Sequence, residues 1–141
     1  VVHGCLTLGS ESVYDRNIVL RNIEVDNANR VLWLKMRPDT HQHYEYVAVD
    51  NISGTTGSFL VVRPWTQFFN PEDRPDMPIS RCNNIVMTNI QMECRNFFDV
   101  GTSDKYLLRD FTFKNINVKD EKKAFDKTMI ENTIVENVTI L

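Results

Sequence analysis

Almost nothing in this chain signals a helix. Asn, Thr, Ile and Val crowd its periodic stretches, and no apolar stripe at the 3.6-residue period extends beyond two turns. Long apolar runs are missing as well. None approaches the roughly 18 residues that a membrane-spanning helix needs, so no membrane partner is expected. Nor is there a surplus of positive charge. The 16 basic and 19 acidic side chains leave a formal net charge of −3, whereas nucleic-acid-binding domains usually carry a basic excess, so nucleic acid is not an expected partner. Cysteine is scarce. Cys5, Cys82 and Cys94 have no metal-ligand spacing, and an odd number cannot pair completely within one chain, so they read as small buried hydrophobes. No Ser-His-Asp order, phosphate loop or zinc motif occurs, and neither a cofactor nor a metal is expected. His41 and His43, two apart on a loop, would project to opposite sides of an extended chain and make a poor metal pair. No secretory leader is evident, since Val1 opens directly into a strand-like stretch.

What is present is a repeat. A strand-like stretch, an Asn, and then Ile or Val opening a second such stretch recur along the chain. The run Asn17-Ile18-Val19-Leu20-Arg21-Asn22-Ile23 is followed by Tyr46-Val47-Ala48-Val49-Asp50-Asn51-Ile52 and by Asn84-Ile85-Val86-Met87-Thr88-Asn89-Ile90. Two more copies place Asn115 before Ile116 and Asn137 before Val138. The marker residues Asn22, Asn51, Asn89, Asn115 and Asn137 are 29, 38, 26 and 22 positions apart. A drifting period in this range, with two short strands per unit, predicts a β-solenoid. Two strands of one coil meet at a sharp bend, where one residue takes a left-handed conformation that Asn tolerates well. Asn side chains at the same corner of successive coils can stack their amides along the solenoid axis. A composition of 42% hydrophobic and 25% charged residues over 141 positions suits one soluble domain, 1–141.

Two connections interrupt the repeat. The first, Arg37-Pro38-Asp39-Thr40-His41-Gln42-His43, lies between the first two copies. The second runs from Pro64 to Arg81 and carries Pro64, Pro71, Pro75 and Pro78, a density that excludes regular strand or helix. It also holds Trp65, Phe68 and Phe69. Insertions of this kind gather on one face of a solenoid, often the binding face. The aromatics could stack on a sugar ring or pack the loop onto the solenoid wall. Glu11, Asp15 and Asp39 have no spacing that would make an acid/base pair and read as solvated surface residues.

Two segments resemble a known family. His3-Gly4-Cys5-Leu6-Thr7-Leu8-Gly9-Ser10-Glu11 resembles the His-Gly segment of the polygalacturonase-like glycoside hydrolases, family 28, and Arg30-Val31-Leu32-Trp33-Leu34-Lys35 is similar to that family's Arg-Ile-Lys segment. The stretches 32–40 and 59–69 look most like members from pectin-degrading gut bacteria. The resemblance covers essentially the whole chain and corresponds to the family's C-terminal part. It implies an all-β fold, a right-handed parallel β-helix, of which these would be the C-terminal coils without the N-terminal ones. It implies hydrolysis of α-linked galacturonic acid chains in pectin with inversion. That chemistry needs two carboxyl groups roughly 6.5–9.5 Å apart, one to protonate the leaving oxygen and one to activate water. In the family they come from Asn-Thr-Asp and Asp-Asp motifs upstream of the His-Gly segment, at which this chain starts, so the 141 residues alone are expected to be inactive.

The remaining roles also follow from the resemblance. His3 would stand beside the catalytic carboxylates and help set their protonation. Lys35 would contact the substrate carboxylate, a suitable task for an ammonium with three donors. Trp33 departs from the family, which has Arg there, and so loses a bidentate carboxylate fork while keeping a ring that can stack on a sugar. Arg37 and Arg63 could restore that charge from neighbouring positions. Trp65 lies roughly where the family places a substrate-facing Tyr on the next coil. The expected partner is a pectic oligo- or polysaccharide, and the expected location of the parent protein is periplasmic or secreted. Inserted loops that block one end of a groove favour exo action, and the loop from Pro64 to Arg81 leans that way. A solenoid cut at Val1 would expose unpaired strand edges, so the chain is expected to be a fragment that self-associates through its N-terminal end. A non-catalytic carbohydrate-binding or structural β-helix is the alternative reading.

Overall fold

The computed structural model describes residues 3–65 and 76–141, and among these it holds six β-strands, one short 3₁₀ turn at Lys127–Met129 and no α-helix. The strands are β1 (Leu6–Leu8), β2 (Tyr14–Met36), β3 (His43–Pro64), β4 (Ser80–Val100), β5 (Tyr106–Asp120) and β6 (Glu131–Ile140). Each pairs in parallel with its sequence neighbour, giving the order β1-β2-β3-β4-β5-β6. At about 3.3 Å per residue a straight β2 would reach roughly 76 Å, so its 23 residues are accommodated only by bending. The result is an all-β, parallel, solenoid-like stack of coils.

The backbone marks the bends. Asn22, Asn51, Asn89, Asn115 and Asn137 all have φ between +53° and +58°, as the marker repeat predicted. A second corner stands five residues earlier, at Asn17, Tyr46, Asn84, Asp110 and Asn132, with the same left-handed φ. Four of these five are Asn or Asp, which tolerate that conformation; Tyr46 is the exception. At the predicted corner the amides do form a ladder. Asn51 Nδ2 donates to Asn22 Oδ1 at 2.8 Å, Asn115 to Asn89 at 3.3 Å and Asn137 to Asn115 at 3.0 Å. The ladder skips one rung: Asn89 donates instead to Asp50 Oδ1 at 2.9 Å, which also accepts from Thr88 Oγ1 at 2.8 Å. Those two bonds, first Asn89 and then Thr88, hold the Asp50 carboxyl below its ordinary range.

Between and after these corners the side chains alternate in and out, and register stacks like on like. Ile18, Val47, Ile85 and Phe111 form one inner column; Ile23, Ile52, Ile90, Ile116 and Val138 form another. A third bend follows where alternation breaks. Val31 and Leu32, Phe59 and Leu60, and Phe97 and Phe98 are consecutive buried pairs, which a straight strand cannot supply. The phenylalanines pack across coils: Phe59 stacks on Phe97 at 5.1 Å between centroids, and Phe125 meets Phe98 at 5.1 Å and Phe113 at 5.0 Å. Cys82 and Cys94 are buried within this core and Cys5 is half-buried, all three as free thiols. Burial pushes the Cys94 thiol up to about 12, with the nearby Asp120 and Glu121 adding to the shift.

The first connection folds around a single buried amide. Gln42 accepts from Arg37 N–H at 2.7 Å, donates to Ser12 O at 3.0 Å, and its own N–H donates to Ser80 Oγ at 2.8 Å. Of the second connection, Pro64 ends β3 and Trp65 and Pro78 are described, while Phe68, Phe69, Pro71 and Pro75 lie outside the described residues.

Candidate functional site

Beyond the third bend, Leu32, Leu34 and Met36 point into the core, so Trp33 and Lys35 point out. On the next coil Trp33 is in register with Val61 and Lys35 with Arg63. Val61 is only 4% exposed although it lies outside the inner core cluster. Trp65 is drawn in by its backbone N–H, which donates to Met36 O at 2.7 Å. The two indoles meet edge to face, 5.3 Å between centroids and 82° between planes.

Lys35 stands in the angle between them. Its Nζ is 4.2 Å from the centre of Trp33 and 4.0 Å from that of Trp65. The guanidinium of Arg30 covers Trp33 at 4.0 Å. Contacts of this kind favour the cation and orient it over the ring face. Among the described residues no carboxylate pairs with Lys35. Burial against the rings, and then repulsion from Arg30, hold its ammonium below the usual lysine range. Beneath the site the buried Tyr44 hydroxyl donates to Lys35 O at 2.7 Å. Gly9, at φ +99°, passes so close that a Cβ there would lie 2.1 Å from that hydroxyl.

The two arginines proposed to replace the lost fork are both engaged with acids. Arg63, on the same outer face as Lys35, binds Asp99 through Nε at 2.9 Å and through Nη2. Arg37 turns into the connecting loop. It grips Asp39 with two bonds of 2.9 and 2.8 Å and donates to Ser10 O at 3.0 Å. The Arg37 bonds hold the Asp39 carboxyl below its ordinary range. Asp15 accepts from Ser12 Oγ at 2.6 Å. His3 is exposed at a bend ahead of β1, upstream of Thr7, the register partner of Trp33, and makes no hydrogen bond or ion pair among the described residues. The structure therefore brings Trp33, Lys35 and Trp65 together, places Arg63 beside them, and turns Arg37 away into the connecting loop.

Sequence reasoning passed over Arg30 as a site residue. Simple alternation sets it on the opposite face from Trp33 and Lys35, but the bend at Val31 and Leu32 returns it. A cavity of about 310 Å³ opens beside it, lined by Arg30, Arg95, Asn96, Asp99 and Lys122 among others. A larger cavity of about 550 Å³ lies at the bend near Thr55, Cys94 and Asp120 and has no aromatic lining residue. Comparisons of the chain with protein-family models, with curated proteins and with solved structures find no match.

Proposed function

We propose that this chain is the substrate-holding, C-terminal part of a right-handed parallel β-helix of the polygalacturonase-like glycoside hydrolase type, acting on α-linked galacturonic acid in pectin. One observation carries the reading: an ammonium without an acid partner, held between two indole rings on an outward solenoid face. A uronate offers complementary groups, an apolar ring face for the indoles and a carboxylate for Lys35. Partial desolvation of Lys35 strengthens that attraction. Arg30 over Trp33 returns a guanidinium to the neighbourhood where the family has its Arg. Such a polymer is met in the periplasm or outside the cell.

Inverting hydrolysis would draw its two carboxylates from Asn-Thr-Asp and Asp-Asp motifs, which these 141 residues do not contain. Asp99 and Asp39 are each paired with an arginine, which supports a binding role without cleavage for these residues taken alone. Titration of tryptophan fluorescence with oligogalacturonate tests the proposal. Lys35→Met is expected to weaken binding at least about tenfold, the loss of one charge-assisted contact, and methyl-esterified oligomers should bind similarly weakly to both forms. Equal affinity of the native chain for acid and ester would refute it.

A further inference from the structure

The corner residue Tyr46 is out of place. Asn17, Asn84, Asp110 and Asn132 hold the equivalent left-handed position in the other coils. A bulky aromatic residue there is disfavoured, and such outliers cluster where a side chain serves a function. Tyr46 does not repay its conformation with burial: it is 49% exposed and its hydroxyl has no hydrogen-bond partner among the described residues.

Its neighbours form a prepared surface. Arg16 stands between Tyr46 and Tyr14, its Cζ 5.6 and 5.5 Å from the two ring centres. Tyr14, also 49% exposed, lies 5.2 Å from the ring of His43. Glu45, itself nearly buried, fixes the set from below. It accepts a hydrogen bond from the Tyr14 hydroxyl and lies 3.7 Å from Arg16 Nε and 3.4 Å from His43 Nε2. His43 Nε2 is further held 2.7 Å from Asn83 Oδ1, which leaves Nδ1 as the ring's other polar atom. Tyr14, Arg16 and His43 are thus held by Glu45 before any ligand arrives, and Arg16 in turn lies against the Tyr46 ring.

We propose that Tyr46, Tyr14, Arg16 and His43 form a second carbohydrate site, on the face before the first corner, for a neutral sugar ring. A sugar's C–H face suits an exposed tyrosine, and its hydroxyls suit the guanidinium and imidazole edges. Arg16 is paired with Glu45 at 3.7 Å, in contrast to Lys35, which has no acid partner among the described residues. The site stands independently of the function proposed for the Trp33 face.

Replacing Tyr46 with Asn gives the corner the residue that three other coils use and removes the ring. Affinity electrophoresis in gels containing galactan, glucan, mannan or xylan reads the result. The native chain is expected to be retarded by at least one of these, and Tyr46→Asn to lose that retardation by about tenfold in affinity while its thermal midpoint stays equal or rises. Native retardation by none of the four, or undiminished retardation of the variant, overturns the site. Retardation by polygalacturonate that vanishes in Tyr46→Asn would mark an anion site instead. Loss of a dimer in light scattering on the same substitution would mark a protein interface instead.

Discussion

The close approach of Gly9, Tyr44 and Lys35 makes a quantitative prediction. A Cβ at position 9 would lie 2.1 Å from Tyr44 Oη and 2.5 Å from Lys35 O, on a backbone with φ +99°. Gly9→Ala therefore costs about 1–2 kcal/mol for the left-handed conformation, plus the displaced hydroxyl bond to Lys35 O. That buried bond is worth about 1–3 kcal/mol once its acceptor is left unsatisfied. The single variant should lose at least about 2–5 kcal/mol, the sum of those ranges, because the contact with the Lys35 backbone oxygen adds to both. Tyr44→Phe removes the same bond by another route and should lose about 1–3 kcal/mol. The hydroxyl can be lost only once, so the double variant should be little worse than Gly9→Ala, a coupling of about 1–3 kcal/mol. Equilibrium unfolding in urea, with unchanged denaturant dependence across the four proteins, measures the cycle. Costs that add to within about 0.5 kcal/mol would show that the hydroxyl does not occupy the space beside Gly9 and would refute the reasoning.

Phe97, fully buried and stacked on Phe59, should cost about 3–5 kcal/mol when cut to Ala, whereas Val19→Ala on the exposed outer face should stay within about 0.5 kcal/mol; thermal unfolding compares them. The Arg37–Asp39 pair should stabilise the fold above the ordinary carboxylate value of 3.8, and that contribution should be lost as pH falls from there through the lowered value. Arg37→Met should flatten the corresponding part of the acid limb in a plot of stability against pH. An unchanged limb would mean that the pair contributes nothing.

The corner at Asn22, Asn51, Asn89, Asn115 and Asn137 was legible because one physical requirement, tolerance of positive φ, selects one residue type at every coil. The earlier corner carries the same requirement but is filled by Asn, Tyr, Asn, Asp and Asn, so Tyr46 and Asp110 hid it. The skipped rung depends on which of two adjacent acceptors, Asp50 or Asn51, the Asn89 amide meets, and side-chain geometry decides that. On the candidate site, Trp33 and Lys35 were legible only through the resemblance of 30–35 to a family segment. Arg30, which plain alternation would set on the opposite face, is returned to theirs by the bend at Val31 and Leu32. Arg37 has its acid two residues away, within reach of sequence reading. Arg63 meets Asp99, 36 residues away, and only the stacking of β3 on β4 makes them neighbours.

The pairing of each strand with its sequence neighbour alone gives the molecule an unusual mechanics. The rungs at Asn22, Asn51, Asn89, Asn115 and Asn137 stay aligned although 29, 38, 26 and 22 residues separate them. That variation is taken up by connections of different length and, in the last coil, by shorter strands. A load applied along the chain would accordingly fall on the outermost coil first and peel the stack one coil at a time. Extra chain inserted at a connection would lengthen each released segment without changing the force that releases it.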